Sequence, residues 1–289
     1  MVIMERPAWL VRRIPAGQEL EATRQLLAHH ELNTVCQSAC CPNIGECFSA
    51  KTATFMILGT DCTRRCRFCA VGKGTPSPED EREAVRLREA VQALKLEHVV
   101  ITSVTRDDLP DGGAGAFVRC IEELRSHCPS VSVEVLIPDL QGHMDAIQQV
   151  IEARPDVLNH NIETVPRLYP TVRPEADYQR SLGLLAQGAK SLKVKVKSGL
   201  MVGLGETEAE LFSTFQDLRD AGTHFLTVGQ YLRPSADHLP VISYMTPEQF
   251  AYYERVALEI GFEQVAAGPF VRSSYQAARM LLPHKESIK

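Results

Sequence analysis

The sequence predicts an α/β fold with a parallel sheet, and two observations lead to this prediction. From about residue 52 onward, short runs of β-branched residues alternate with amphipathic stretches of helical period, as in repeated strand–helix units. Helix-capping residues mark the ends of several of these stretches. With 289 residues and 44% hydrophobic content, the chain can bury a full-sized core, as one barrel or as two ordinary domains.

Six strands are expected in this part of the chain, at residues 53–60, 98–104, 131–137, 157–163, 193–202 and 224–231. Six strand–helix units are fewer than the eight of a closed barrel, so we expect a partial (β/α)6 TIM-type barrel. Its open side would suit a large substrate. We divide the chain into an N-terminal extension at 1–51, the barrel at 52–261 and a C-terminal extension at 262–289.

Two of the expected helices have clear boundaries. Thr207 and Glu210 have the spacing of a capping box, and the helix that they open should close at Gly222. A second box begins at Thr246 and opens a helix that should close at Gly261. These boundaries place both helices in the last third of the barrel.

The charge and hydropathy of the chain exclude several classes of partner. The formal net charge is -5 and the pI is near 6.0, so there is no overall basic field for nucleic acid or for a membrane surface. The first residues lack the apolar core of a signal peptide, and no segment approaches the roughly 20 apolar residues of a spanning helix. We therefore expect a cytoplasmic protein with neither nucleic acid nor membrane as a partner.

Six of the nine cysteines lie in two consecutive runs of different spacing, Cys36-x4-Cys41-x5-Cys47 and Cys62-x3-Cys66-x2-Cys69. In a reducing compartment, clustered cysteines are more often metal ligands or redox groups than disulfides. Each run supplies three thiolates, whereas a closed structural metal site usually has four protein ligands. Two incomplete runs therefore predict two cofactors, each with one coordination position left for another group.

The second run, Cys62 to Cys69, follows the first predicted strand directly. It should therefore lie in the first strand-to-helix loop, at the barrel face where catalysis takes place. Three thiolates on a four-iron cluster leave one iron open to an exchangeable ligand. A zinc site is less well supported, because no fourth Cys or His follows at short spacing. The intervening Arg64, Arg65 and Arg67 either offset the cluster's charge, dock an acidic electron donor, or belong to a solvated loop.

This second run, with Phe68 just before its last cysteine, resembles the radical S-adenosylmethionine (SAM) enzymes. The resemblance implies a 4Fe–4S cluster on Cys62, Cys66 and Cys69, with SAM chelating the open iron. It also implies reductive cleavage of SAM to a 5′-deoxyadenosyl radical, with Phe68 packed near the adenine.

Further segments are similar to the lipoyl synthase family within that superfamily: TSVTRDDL at 102–109, DGGA at 111–114, NHNIETV at 159–165, KSGLMVGLGE at 197–206 and RSSY at 272–275. The similarity runs from about Val35 to Tyr275. It implies an auxiliary 4Fe–4S cluster on Cys36, Cys41 and Cys47, with Ser274, in preference to Ser273, as the fourth ligand. Taken alone, the RSSY segment would be a helix start with a serine cap.

Cys40 does not give the first run an alternative motif. Cys36-x3-Cys40 begins like the radical SAM spacing, but Asn43 stands where the third cysteine would be required. The first run is therefore interpreted as Cys36, Cys41 and Cys47 only.

The family resemblance implies a sulfurtransferase that inserts two sulfur atoms at carbons 6 and 8 of an octanoyl-lysine, producing the dihydrolipoyl group and sacrificing the auxiliary cluster. Such C–H bonds have no acidity, so no side chain is expected to act as catalytic acid or base. The implied partners are octanoylated lipoyl carrier domains, namely the acyltransferase (E2) subunits of 2-oxoacid dehydrogenases and the H protein of glycine cleavage. A ferredoxin or flavodoxin reductant and an iron–sulfur carrier protein are implied as well.

Polar residues at predicted strand ends are the candidates for SAM contacts: Thr102, Ser103, Asn161, Glu163 and Arg173. Asn161 and Glu163 suit an amino-acid head group and a ribose diol, whereas Thr102 can equally be a packing residue. Lys193, Lys195 and Lys197 alternate on one strand and share a face. They meet an acidic carrier domain or a carboxylate, or they form a solvated edge.

Two other classes of function compete with this interpretation. One is a different sulfur-inserting radical SAM enzyme, such as biotin synthase or a methylthiolating enzyme. The other is a non-catalytic protein, either an iron–sulfur electron carrier or a zinc-stabilised binding module. The first cysteine run, placed just before the barrel and combined with RSSY near residue 274, favours the lipoyl synthase family over both.

Overall fold

The computed structural model describes residues 6–11, 18–39, 41–49 and 52–281. Its strands are β1 (Asn33–Thr34), β2 (Thr54–Ile57), β3 (Asp61–Cys62), β4 (Gly72–Lys73), β5 (His98–Ser103), β6 (Ser132–Leu136), β7 (Val157–Asn159), β8 (Lys195–Val202), β9 (Phe225–Gln230) and β10 (Gln264–Gly268). Its α-helices are α1 (Gln18–His29), α2 (Val35–Ser38), α3 (Ile44–Ser49), α4 (Glu83–Leu94), α5 (Ala114–His127), α6 (Met144–Glu152), α7 (Tyr169–Val172), α8 (Tyr178–Ala189), α9 (Glu208–Asp220) and α10 (Pro247–Ile260).

The main sheet has the strand order β1-β2-β5-β6-β7-β8-β9-β10, and every pairing in it is parallel except that of β1 with β2. Within the described residues, β1 and β10 are its two outer strands, so the partial barrel is confirmed. All six predicted strands are present. Their consecutive order follows from strand–helix units that each advance the sheet by one position.

A seventh parallel strand, β10, was not predicted. It pairs with β9 from Gln264↔Phe225 to Gly268↔Gly229. Its sequence QVAAG contains a single β-branched residue, so it lacks the composition by which strands are recognised. It lies in the range 262–289 that the sequence analysis assigns to the C-terminal extension; the domain boundaries stay a prediction.

The predicted capping boxes are both present. Thr207 accepts from the amide of Glu210 at the start of α9, and Thr246 accepts from that of Gln249 at the start of α10. α10 ends at Gly261, whose φ of 110° is favourable only for glycine. None of the helices in the described ranges is long and apolar enough to cross a membrane.

Alternate residues of each parallel strand face either the helices or the barrel interior. Val99 and Ile101 of β5, for example, pack in one hydrophobic core with Leu87 of α4 and Ile121 of α5. A second hydrophobic core joins β8–β10 to α8–α10. The helices therefore cover the outside of the sheet, and the interior and its carboxyl end are left to polar side chains.

Lys197 is one of these interior side chains, and it is fully buried. Its Nζ donates to Glu134 Oε1 at 2.9 Å, and Asn159 Nδ2 donates to the same oxygen at 2.8 Å. Lys195 instead forms an exposed ion pair with Glu263. The carboxylate alternative is therefore correct for Lys197, and contact with a carrier domain is wrong for it, because a buried ammonium requires an internal counter-ion.

Candidate active site and metal centres

The second cysteine run lies at the carboxyl edge of the sheet, where the sequence analysis expects it. Cys62 ends β3, and its thiol accepts from the backbone amides of Arg64 at 3.4 Å and Thr105 at 3.3 Å. Thr63 donates its amide to the carbonyl of Thr105 at 3.1 Å. The loop is thus fastened to the segment that follows β5.

A strained turn leads into this loop. Leu58, directly after β2, has a φ of 66°, and its amide donates to Glu83 Oε2 at 2.9 Å. A non-glycine residue in the left-handed region persists only when its surroundings hold it there. Glu83 therefore fixes the direction in which the chain enters the cysteine loop.

The thiols of the second run are free and lie close enough to affect one another. Burial raises the pKa of Cys66 to about 12, and the neighbouring Cys69, Glu163 and Cys62 add to the effect while the Arg173 charge opposes it. Burial likewise raises the pKa of Cys69 to about 11. Thiols in such an environment ionise when a cation is bound to them, which suits metal ligands rather than free nucleophiles.

Arg64, between the first two cysteines, is buried in a network of carboxylates. Its Nε contacts Asp107 Oδ2 at 2.6 Å, and its Nη2 contacts Asp139 Oδ1 at 2.6 Å. Arg180 reaches the second oxygen of Asp139 at 3.3 Å. Burial opposes the charge of Arg64, but the hydrogen bonds from both carboxylates raise its pKa above the usual value.

This burial corrects two interpretations of Arg64, the solvated loop and the dock for an electron donor. At 5% exposure, its guanidinium clamps the cysteine loop to the segments after β5 and β6. Arg65 and Arg67 are exposed, so those interpretations remain for them. The difference could not be predicted from the sequence, because two adjacent residues of the same type, Arg64 and Arg65, carry no local signal that separates them.

The predicted SAM contacts Asn161, Glu163 and Arg173 lie together beside Cys66. Asn161 Nδ2 donates to Glu163 Oε1 at 3.0 Å, and Arg173 Nη1 donates to the carbonyl of Asn161 at 2.9 Å. Glu163 has a φ of 66°, and burial raises its pKa. Strained backbone of this kind is concentrated at functional sites.

Two further predicted SAM contacts, Thr102 and Ser103, differ in whether their hydroxyl groups are hydrogen-bonded within the protein. Thr102 Oγ1 donates to the carbonyl of Leu136 at 2.8 Å, which is the packing role that the sequence left open for it. Among the described residues, Ser103 Oγ and Arg173 Nε are buried without a hydrogen-bond partner. Unpaired buried polar atoms are uncommon, so these two fit a site for a polar ligand.

A loop at 231–246, after β9, covers the second cysteine run. Leu239 donates its amide to the carbonyl of Arg67 at 3.3 Å, and His238 Nε2 lies 3.1 Å from the carbonyl oxygen of Cys69. Phe68 packs against Leu239 and Val172 in an apolar cluster. The sequence analysis missed this loop; its only signal is its length without regular structure after a strand end, where functional loops occur.

The first cysteine run spans two short helices before β2. Cys36 is in α2, Cys47 is in α3, and Cys41 lies between them. Burial raises the pKa of Cys47 to about 12, and the nearby Cys36 and Cys41 add to the effect. Burial also raises the pKa of Cys36. The three thiols therefore face one another; Cys40 lies outside the described residues.

The segment 270–275 reaches back across the barrel to this run. Thr54 Oγ1 donates to Ser274 Oγ at 2.7 Å, and Asn43 Nδ2 donates to the carbonyl of Phe270 at 2.7 Å. Tyr275 donates its hydroxyl to Glu46 Oε1 at 2.6 Å. Asn43 and Glu46 are residues of the first run, so three contacts join the two ends of the chain.

The same segment lies directly on strands β8 and β9, at Gly199 and Gly229. A Cβ on Gly199 would meet Thr227 Oγ1 and would lie 3.2 Å from Ser273 Oγ, and a Cβ on Gly229 would meet the carbonyl of Val271. Ser273 Oγ donates to Asn161 Oδ1 at 2.8 Å. The two serines therefore point to different places, Ser273 to the predicted SAM site and Ser274 to Thr54 beside Cys36.

The donor set of each run, three thiols, has the chemistry of iron–sulfur cluster ligands. In the described part of the chain, no three His, Cys, Asp or Glu side chains converge as closely as the ligands of a single ion. A cubane binds each thiolate at a different iron, so its ligands are spread more widely. The raised pKa values of Cys47 and Cys66 also mean that these two thiols ionise when a cation binds to them.

Solved structures share this fold at low sequence identity. Methylornithine synthase (PylB) aligns with a TM-score of 0.52 at 12% identity, covering 89% of this chain and 84% of that one. The hydrogenase maturase HydG from Carboxydothermus hydrogenoformans aligns with a TM-score of 0.52 at 13% identity, covering 88% and 72%. These likenesses concern the fold alone.

The Radical SAM superfamily model matches residues 56–218, so fold and site define a radical SAM protein. Lipoyl synthase of Caldanaerobacter subterraneus subsp. tengcongensis is 56% identical over 95% of this chain and 96% of its own length. Lipoyl synthase of Alkaliphilus metalliredigens is 51% identical over 99% of both chains. The chain belongs to the lipoyl synthase family, which confirms the resemblance drawn from its motifs.

Proposed function

We propose that this chain inserts two sulfur atoms, at carbons 6 and 8, into an octanoyl group attached to a lysine of a lipoyl carrier domain. Near full-length relatives at 51–56% identity bear the name of that activity. The observation that carries the proposal is the course of segment 270–275, which brings Ser273 to Asn161 and Ser274 to Thr54. One segment thus links the two cysteine triads.

The two triads would hold two 4Fe–4S clusters. Cys62, Cys66 and Cys69 would hold one, with its fourth iron open to SAM; Cys36, Cys41 and Cys47 with Ser274 would hold the other. When bound, the first supplies the electron that cleaves SAM to a hydrogen-abstracting radical, and the second supplies sulfur. Serine is a harder ligand than thiolate and binds iron less durably, which suits a cluster that is consumed.

The side chains around Cys66 would bind and orient SAM. Glu163 and Asn161 present a carboxylate and an amide, which suit ribose hydroxyls and an amino-acid head group. Of the predicted SAM contacts, which all lie in the described part of the chain, Ser103 Oγ and Arg173 Nε are the buried polar atoms without a hydrogen-bond partner. The pKa of Glu163 is raised by burial, so hydrogen-bond donors of a ligand would stabilise its ionised form.

No side chain is assigned a role as acid or base, because the attacked C–H bonds are not acidic. The protein's part is instead to position the reactants and to exclude water. The loop at 231–246 covers the cysteine loop through Leu239 and His238, and Phe68 closes an apolar cluster beneath it. A dry, closed site prevents a reactive intermediate from being quenched.

The proposed macromolecular partners follow from this chemistry. Octanoylated carrier domains are the substrates, and a ferredoxin or flavodoxin would supply electrons, with exposed Arg65 and Arg67 as its contact beside the cluster. An iron–sulfur carrier protein would rebuild the consumed cluster. We therefore propose that the reaction takes place in the cytoplasm.

The test is to supply an octanoyl-lysine peptide, SAM and a strong reductant under anaerobic conditions, and to follow products by mass spectrometry. We expect 5′-deoxyadenosine and a peptide carrying two added sulfur atoms. Iron and sulfide analysis should give about eight irons per chain, two cubanes. Near four irons, or zinc, would contradict the two-cluster proposal and leave an electron carrier or a zinc-stabilised module.

A further inference from the structure

Thr54 lies where the segment that contains Ser274 contacts the strand that follows the first cysteine run. It is the first residue of β2 and is 5% exposed. Its hydroxyl donates to Ser274 Oγ at 2.7 Å, across 220 residues of chain. It also lies near Cys36, which follows Thr34 by two residues, because Thr34 is paired with Phe55, the neighbour of Thr54.

The strand holds this hydroxyl in a fixed position. Thr54 is paired with Val100 of β5, and the next residue, Phe55, is paired with Thr34 of β1. A β-branched side chain has restricted χ1, so the direction of the hydroxyl follows from that of the strand. Residue 54 therefore presents its hydroxyl from a fixed position at the rim of the barrel.

Ser274 lies outside the strands and helices of the described chain. It belongs to a turn-rich segment outside the sheet, in which the amide of Tyr275 bonds to the carbonyl of Arg272 at 3.0 Å. Its neighbour Ser273 is directed to Asn161 instead. The contact with Thr54 is what separates the two serines.

We propose that Thr54 is a positioning residue, which holds the Ser274 oxygen at the first cysteine triad and keeps donating to that oxygen when it serves as a ligand. This inference rests on the proposed function, since it takes Ser274 as the fourth ligand. A serine oxygen bound to iron carries negative charge, and a hydrogen bond to a charged acceptor is stronger than one to a neutral acceptor. Thr54 thus favours the coordinated state of Ser274 over the free one.

The test compares Thr54→Val, which keeps the shape and removes the hydroxyl, with Thr54→Ser, which keeps the hydroxyl. Loss of this hydrogen bond should weaken the binding of the serine-bound iron by about tenfold or more. Iron content should then fall by about one per chain, and a three-iron cluster should appear in the electron paramagnetic resonance spectrum. Thr54→Ser should restore both values, and Ser274→Ala should reproduce the Thr54→Val spectrum.

Thr214→Val is the matched control for burying a valine in place of a threonine. Thr214 is fully buried, and its hydroxyl bonds to the carbonyl of Glu210 within α9. We expect it to leave the iron content and the spectrum of the wild type unchanged. If Thr54→Val does not fold, Thr54→Ala is assessed by the same iron count and spectrum.

The outcomes separate this inference from the proposed function. Equal iron content and spectra in wild type, Thr54→Val and Thr54→Ser would overturn the role of Thr54, even if wild type inserts sulfur normally. Loss of irons from both triads in Thr54→Val, with no recovery in Thr54→Ser, would also overturn it. If wild type itself holds only about four irons, it is the two-cluster function that fails.

Discussion

The two cysteine triads differ in the sequence separation of the residues that form and stabilise them. Cys62, Cys66 and Cys69 lie in one loop, and that loop is held by carboxylates from the segments after the next two strands of the sheet, β5 and β6. The first triad is instead closed by contacts that span from 220 to 229 residues. One site is local and the other depends on both ends of the fold.

The kind of contact differs as well. The local site is fastened by buried ion pairs, with Asp139 fully buried beneath Arg64. The first triad is closed by a Thr–Ser bond, an amide–carbonyl bond and a Tyr–Glu bond. The first two are hydrogen bonds between neutral groups and contribute about 0.5–1.5 kcal/mol each, and the bond to the Glu46 carboxylate contributes about 1.5–3 kcal/mol. Breaking a buried ion pair costs about 3–5 kcal/mol. Each single contact at the first triad therefore contributes less to stability than a buried ion pair at the local site.

The largest expected effect comes from Cys66→Ala. Because a radical SAM site has no substitute for a missing ligand, this change should abolish both 5′-deoxyadenosine formation and sulfur insertion. Mass spectrometry of both products and an iron count check the result, and about four irons should remain at the first triad. Retained cleavage of SAM would contradict the assignment of the local triad.

Cys41→Ala separates the two sites. We expect SAM cleavage to continue while sulfur insertion is lost, because only the auxiliary cluster is affected. The same two products are measured, with octanoyl-lysine peptide present. Sulfur insertion at the wild-type rate would refute the role of the first triad as sulfur donor.

Arg64→Met tests the buried ion pairs of the local site. It leaves Asp139 fully buried with Arg180 at 3.3 Å as its remaining ion-pair partner, so stability should fall by about 3–5 kcal/mol. Denaturant unfolding at matched cluster content measures the change. Arg65→Met changes the adjacent residue, which is exposed, and serves as the control. Its free energy of unfolding should stay within about 0.5 kcal/mol of wild type. Equal stability of both variants would show that the clamp is dispensable.

Low pH should lower the free energy of unfolding, because His160, near the second cysteine run, is buried as a neutral group. Its ring nitrogens contact the carbonyl of Ile137 at 2.8 Å and Ser181 Oγ at 3.0 Å, and burial lowers its pKa to about 4. The unfolded chain takes up this proton near pH 6.5, so stability should fall as pH drops from about 6.5 to about 4, by up to about 3 kcal/mol.

Unfolding of chelator-treated protein at pH 7.5 and pH 4.5 measures this loss without interference from acid-labile clusters. His160→Gln, which cannot be protonated in this range, should show a smaller decrease between the two pH values. An equal decrease in both proteins would assign the acid sensitivity to other groups.

Sequence patterns predicted the features whose residues lie close together in the sequence. The strands appear as β-branched runs, the capping boxes as Thr207 with Glu210, and the triads as fixed cysteine spacings. In each case the residues that cooperate are within a few positions of one another. The same holds for the location of the Cys62 loop, which follows from the strand before it.

The missed features are those that depend on tertiary contacts. Nothing near Arg64 shows that it is buried while Arg65 is exposed, since that depends on Asp139, 75 residues away. Nothing near Thr54 indicates Ser274, and β10 is too poor in β-branched residues to be recognised. The course of the loop at 231–246 likewise depends on what it covers. Contacts between residues that are far apart in the sequence produce no periodic pattern by which they could be predicted.

The 220 residues between Thr54 and Ser274 also set an order of events during synthesis. A ribosome releases Cys62, Asp139 and Arg173 well before Ser274, so every side chain of the local site is available while the chain is still growing. The first triad must wait for the last part of the fold. If Ser274 is a ligand, as proposed, the first site can be completed only after the second, and a chain that stops before residue 274 would lack that ligand.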